Sequence, residues 1–139
     1  MHDDMYNLYP VIGSVNSLIS NMKFAQITSL NKPDGLFNIA KIYVQKWTKK
    51  DDTCNNLKID RNKIEPPDRD KGIVARSYLY MADTYSVYRL SSKDKRLFKT
   101  WNKKYPVTKE ECKRTKIIKR IQRNTNRIVR RECVKLQLW

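Results

Sequence analysis

The chain has 139 residues, with 30 Lys and Arg against 14 Asp and Glu, which gives a formal net charge of +16 and a mean hydropathy of −0.76. That length suits a single domain spanning residues 1–139, and no apolar run approaches the ~20 residues needed to cross a bilayer. The charge concentrates polyanions at the surface, so nucleic acid is the first partner to consider; an anionic membrane would need a basic amphipathic helix with an apolar stripe, and no membrane association is expected.

Residues 3–9 (DDMYNLY) read as a short strand, and Pro10 with Gly13 as a turn. Residues 14–21 read as a short helix with Ser14 as N-cap. Residues 36–47 fit either a helix or a strand, and 48–56 read as loop. The segment KIEPPDRDKG over 63–72 reads as a break stiffened by Pro66 and Pro67. Beyond it Val74, Tyr78, Met81 and Tyr85 recur at helical spacing, with Ile73, Leu79 and Tyr80 widening the stripe, so this helix is expected to be largely buried. Ser91 with Asp94 makes a capping box that opens a helix over 92–104, with Leu97, Phe98 and Trp101 as its core face. Thr108 with Glu111 makes a second one that opens a helix over 109–122, with Cys112, Ile117, Ile118 and Ile121 on its buried side. The fold class is therefore α+β and mostly α-helical.

The stretch from Lys109 to Trp139 holds 11 basic residues against Glu110, Glu111 and Glu132, which is half of the total charge excess. A charge run of this kind can be a solvated face that only aids solubility. Few carboxylates stand at i,i+4 to these bases, however, and unpaired positive charge at this density favours phosphate contact. The residues assigned to nucleic-acid binding are Arg76, Lys113, Arg114, Lys116, Arg120, Arg123 and Arg127. About five to eight phosphate contacts would make log K fall with log salt at a slope of roughly −5 to −7.

The residues do not by themselves compose a catalytic centre. His2 is the one histidine, so there is no HExxH zinc motif, and Gly13, Gly35 and Gly72 are too few for a phosphate-binding glycine loop. Asn16 is a cap or surface amide in its simplest reading; its amide oxygen also suits a hard cation such as Mg²⁺. Three cysteines, Cys54, Cys112 and Cys133, leave two readings open: buried thiols, or a Cys112–Cys133 bridge with Cys54 unpartnered. The N-terminal residues contain no signal peptide, since Asp3 and Asp4 stand where a basic region would be; taken literally this predicts the cytoplasm.

The stretches DMYNLYPVIGSVN, EPPDRDKGIVARSYLYM, FKTWNKKYPVTKEECKR and IQRNTN, in that order, change this reading. From Met1 to about Cys133 the chain resembles the endonuclease I family of bacterial periplasmic or secreted non-specific nucleases. The resemblance implies a partial ββα-metal (His-Me) finger joined to a helical body, acting as a monomer. It implies Mg²⁺, or another divalent cation, as cofactor and nucleic acid, DNA in the first place, as partner and substrate. In the family a first strand carries a Glu-His pair in an EWEH-like motif, whose His activates water. NLYPVIGSVNSLISN resembles the second half of that finger, which makes Asn16 the metal-binding Asn, with Asn7, Leu8, Pro10, Gly13, Val15 and Asn21 also in place. The general-base His is then expected upstream of Met1, and this chain alone is expected to be weakly active or inactive; the alternative is a non-catalytic basic nucleic-acid-binding remnant. Ser14 departs from a family Glu, Ile19 from an Arg, and Arg123 and Arg127 from the Gly and Pro of a QGNxNP-like motif. A side chain at 123 is penalised if that position needs a positive φ. The family's cysteines are disulfide-bonded, which makes Cys112 and Cys133 the candidates for a bridge.

Overall fold

The computed structural model describes residues 3–9, 22–28, 57–60 and 62–139. His2, Asn16, Cys54, the 14–21 helix, the 36–47 segment and the 48–56 loop lie outside the described residues. The chain divides into two compact units, one made of Met1–Tyr9 with Arg69–Trp139 and the other of Pro10–Asp68.

The second unit holds a three-stranded mixed sheet: β1 (Lys23–Phe24), β2 (Lys58–Asp60) and β3 (Lys63–Glu65) in the order β1-β3-β2. β1 runs parallel to β3, with Phe24 beside Ile64, and β2 runs antiparallel to it, with Ile59 beside Ile64. Ile59 and Ile64 form its core, with Met22, Phe24 and Leu57 packed around them. Glu65 is buried beside them and is satisfied by the backbone N–H of Ile27 (2.7 Å) and the amide of Gln26 (2.5 Å). The break expected to begin at residue 63 therefore begins after β3. Pro66 and Pro67 end the strand because neither has an N–H to continue the ladder.

In the first unit residues 3–9 form no strand. Asp4 caps a 3₁₀ turn over Met5–Asn7, with its carboxylate accepting from the Tyr6 N–H, and a local side-chain bond of this kind outcompetes an extended chain. Four helices follow among the described residues: α1 (Asp68–Thr84), α2 (Ser92–Lys104), α3 (Lys109–Gln122) and α4 (Arg127–Lys135). α2 and α3 have the expected bounds. Ser91 and Asp94 bond reciprocally at the start of α2, whereas at α3 only the Glu111 N–H reaches Thr108 and the Glu111 side chain goes elsewhere. α4 is capped by Asn126, whose Oδ1 accepts from the N–H groups of Ile128 and Val129.

The buried face of α1 is not the expected apolar stripe. It comprises Lys71, Gly72, Ala75, Arg76, Ser77, Tyr80 and Met81, while Val74, Tyr78 and Tyr85 are only half-buried. On α3 Ile118 and Cys112 are buried as expected, but Ile117 and Ile121 are exposed, and Glu111 and Thr115 take their place inside.

Two apolar clusters hold this unit together. Tyr6, Tyr80, Met81 and Ile118 form one, and Val107, Cys112, Val129 and Cys133 form the other, with Leu138 and Trp139 against the second. A disulfide joins Cys112 of α3 to Cys133 of α4. Arg123, just past α3, has φ 61° and closes the helix in the left-handed conformation, which is the strained position anticipated for a side chain there. Among the described residues no helix is long and apolar enough to cross a membrane.

Candidate nucleic-acid interface

Arg76 sits at the centre of the first unit and is 1% exposed. Its Nε and Nη2 each donate to a different oxygen of Glu111 at 2.7 Å. Its Nη1 donates to the Tyr105 carbonyl (2.7 Å) and to Asn102 Oδ1 (3.2 Å). α1 approaches closely enough for this because residue 72 is glycine: a Cβ there would lie 2.5 Å from the Tyr105 oxygen and 2.7 Å from Arg76 Nη2. The fork geometry satisfies both buried charges, which is the condition for tolerating them inside. Arg76 therefore presents no donor to a phosphate, and its expected role as a nucleic-acid contact is corrected to that of a structural ion pair.

A second polar network ties the N-terminal turn to the end of α3. Asp4 Oδ2 accepts from Tyr85 (2.7 Å), Tyr80 (2.9 Å) and Asn124 (3.4 Å). Asn124 also donates to the Tyr80 hydroxyl, and Gln122 accepts from the Met5 N–H at 2.7 Å. Burial pushes the Asp4 carboxyl up, but hydrogen bonds from Tyr85, Gln122, the Tyr6 N–H and Tyr80 outweigh it, and the net shift is downward. Tyr80 is raised by burial and by its bond to Asp4, and Tyr85 chiefly by its bond to Asp4. Asp4 is a fixed anion whose ligands include the Gln and Asn of the QRNTN segment; the second Asn of that segment, Asn126, reaches the Arg76 carbonyl.

Arg114 is half-buried and serves the same seam. Its Nη2 donates to the carbonyls of Met5 (2.5 Å) and Leu8 (2.6 Å), and its guanidinium lies 4.4 Å from the Tyr9 ring centre. It staples the N-terminal segment through Nη2, which leaves only the rest of its guanidinium for the phosphate contact expected of it.

The other expected residues reach solvent. Lys113, Arg120, Arg123 and Arg127 are exposed, and Lys116 is half-buried. Lys109, Lys113, Lys116 and Arg120 follow i, i+4, i+7, i+11 on α3, a single stripe roughly opposite Glu111, Thr115 and Ile118. None of Lys113, Lys116, Arg120, Arg123 and Arg127 pairs with a carboxylate among the described residues; the exposed ion pairs there belong to Lys58, Arg69, Arg131 and Lys135. The helix thus offers a row of cations to solvent.

Sequence reasoning missed two further basic features. Arg89, Lys95, Lys99 and Arg131 line an open cavity of about 680 Å³ together with Leu79, Ile128 and one carboxylate, that of Asp83. Lys119 and Arg130 lie over the ring of Trp139, at 5.2 and 5.4 Å from its centre. The i,i+4 spacing of Lys95 and Lys99 was the available signal for the first; for the second there was none, because Trp139 falls after the last periodic element. Among the described residues no three His, Cys, Asp or Glu side chains converge to hold a metal ion.

Comparison with known proteins agrees with the motifs. Residues 1–133 match the family model described as Endonuclease I. The chain is 41% identical over 136 residues to Endonuclease-1 of Buchnera aphidicola subsp. Baizongia pistaciae, covering 95% of this chain and 48% of that protein. It is 36% identical over 137 residues to Endonuclease-1 of Buchnera aphidicola subsp. Acyrthosiphon pisum, covering 97% of this chain and 47% of that one. It is 30% identical over 134 residues to a periplasmic deoxyribonuclease of Aeromonas hydrophila, covering 96% and 49%. The chain spans about half the length of the curated relatives it matches.

Proposed function

Because the chain belongs to the endonuclease I family, we propose that it is the nucleic-acid-binding body of a divalent-metal-dependent endonuclease that hydrolyses phosphodiester bonds without sequence preference, DNA being the first substrate. The observation that carries this reading is the stripe of unpaired cations on α3. Lys113, Lys116 and Arg120, with Arg123 and Arg127 beyond the helix end, take the phosphates and hold the backbone in place. Arg76 and Arg114 act indirectly, by fixing α1 and the N-terminal turn against α3.

Asn16 is proposed as a ligand of Mg²⁺ or another divalent cation, the amide oxygen being the donor type a hard ion takes. That ion supplies charge stabilisation at the phosphate when bound. The general base is assigned to a histidine outside these 139 residues, so the chain alone is expected to cleave weakly or not at all. The Cys112–Cys133 disulfide supports an oxidising compartment, periplasmic or extracellular, because such bridges persist there and are rare in the cytosol.

Plasmid nicking by the purified chain with Mg²⁺ or with EDTA, alongside Asn16→Ala, tests the reading. Retarded but uncut plasmid is expected. Robust EDTA-sensitive turnover would sink the claim of weak activity, and absence of any retardation at low salt would sink the nucleic-acid reading. A non-catalytic binding protein is the second reading, favoured by the exposed cations of α3, which serve binding whether or not cleavage follows; it predicts that added metal changes neither binding nor cleavage.

A further inference from the structure

The C-terminal residues are built into the fold. After α4, Gln137 takes φ 56°, the Gln137 N–H bonds to the Val134 carbonyl (3.0 Å) and the Leu138 N–H to the Cys133 carbonyl (2.8 Å). This pair of bonds around a left-handed residue is the Schellman closure, and it turns the chain back over the helix it has just left. Leu138 and Trp139 consequently pack on the cluster containing the disulfide-bonded Cys112 and Cys133.

The turn brings an aromatic ring against the basic helix. Lys119 Nζ and the Arg130 guanidinium lie within cation–π distance of the indole, which remains half-exposed. Beside it opens a depression of about 330 Å³ lined by Lys116, Lys119, Arg120 and Trp139. None of these cations pairs with a carboxylate among the described residues, the ion pairs of α4 being those of Arg131 and Lys135 with Glu132. Trp139 lies past the family match, which ends at residue 133.

Resting on the nucleic-acid reading above, we propose that Trp139 with Lys116, Lys119 and Arg120 is a stacking platform for an unpaired nucleotide of a bound strand. A π-face flanked by cations fits a base next to its phosphate, and stacking of this kind needs no particular sequence. Bases inside a duplex are stacked on one another and offer only their edges, so the platform selects single strands and frayed or nicked ends. An anion without a planar base would use the lysines and gain nothing from the indole.

The test uses the full chain in EDTA, with fluorescence anisotropy of three labelled probes of equal length: an oligothymidylate, its abasic counterpart carrying the same phosphates, and a duplex. The wild type is expected to bind oligothymidylate about five- to thirty-fold tighter than the abasic strand. Trp139→Ala is expected to erase that difference and leave duplex affinity within about two-fold; Trp139→Phe, which keeps an aromatic face, is expected to retain most of it. A wild-type ratio near one overturns the platform, and does so even if Trp139→Ala fails to fold. Equal losses on all three probes also overturn it, since they mark a structural or purely electrostatic role. Failure of the wild type to bind any probe at low salt overturns the nucleic-acid reading itself.

Discussion

Arg76 and Glu111 meet through two parallel hydrogen bonds of 2.7 Å although both side chains are almost wholly buried. The pair joins α1 to the start of α3 and diverts Glu111 from the capping role its spacing after Thr108 predicts. Arg76→Ala leaves a buried carboxylate without its partner and is expected to cost about 3–5 kcal/mol in urea unfolding. Arg76→Met with Glu111→Leu should cost clearly less than Arg76→Ala alone, since no charge is then stranded. Equal losses would mean the charges themselves are needed.

Asp4 contributes to the loss of stability in acid. Its folded pKa is depressed, so its contribution is present above the ordinary carboxylate range, about 4 in the unfolded chain, and is lost as pH falls through the folded value. Thermal unfolding from pH 7 to pH 2 should show the wild type losing stability in acid. Asp4→Asn should begin about 1–3 kcal/mol lower at neutral pH and fall less steeply.

Arg123 occupies a left-handed helix end that glycine takes without steric penalty. Arg123→Gly is expected to raise stability by about 1 kcal/mol in denaturant unfolding while weakening DNA binding by one phosphate contact. The variant separates the two demands on this position; a loss of stability would show that the arginine side chain makes up its own strain.

Reduction of the Cys112–Cys133 bridge, which closes a loop of 21 residues, should cost about 3 kcal/mol on the loop-entropy view. Calorimetry with and without reductant measures it. Leu138 and Trp139 rest on the same cluster, so Trp139 fluorescence should respond to reductant before global unfolding.

Lys113→Ala with Arg120→Ala removes two cations of the α3 stripe. Titration with a DNA duplex over a range of salt should give a slope of log K against log salt shallower by about 2. An unchanged slope would remove the stripe from the interface.

The ends of α2 and α3 were legible because Ser91 and Thr108 bond to backbone a few residues away, and such local chemistry is written in adjacent positions. The buried face of α1 was not, because its inward residues include Gly72, Arg76 and Ser77, which hydropathy assigns to solvent. The sheet strands span two or three residues and carry no readable period. α4 lacked an apolar pattern long enough to notice, although Asn126 was a usable cap signal. Counting charges drew attention to α3, where Lys109, Lys113, Lys116 and Arg120 share one stripe. It also swept in Arg76 and Arg114, whose partners lie 35 and more than 100 residues away and which no local pattern reveals.

The bond between Asn124 and Asp4 spans 120 positions of sequence, and those of Gln122 with Met5 and Arg114 with Leu8 span 117 and 106. Residues 3–9 therefore precede these partners by more than 100 positions and meet them only once α3 has been made. Closing so long a loop costs entropy that only the finished contact repays, and non-local closures of this kind slow folding. The helical unit is consequently a late-locking one. Removal of residues beyond Lys113 should strip the N-terminal turn of its bonds to Arg114, Gln122 and Asn124 and open it to proteolysis, even where α1 and α2 still form.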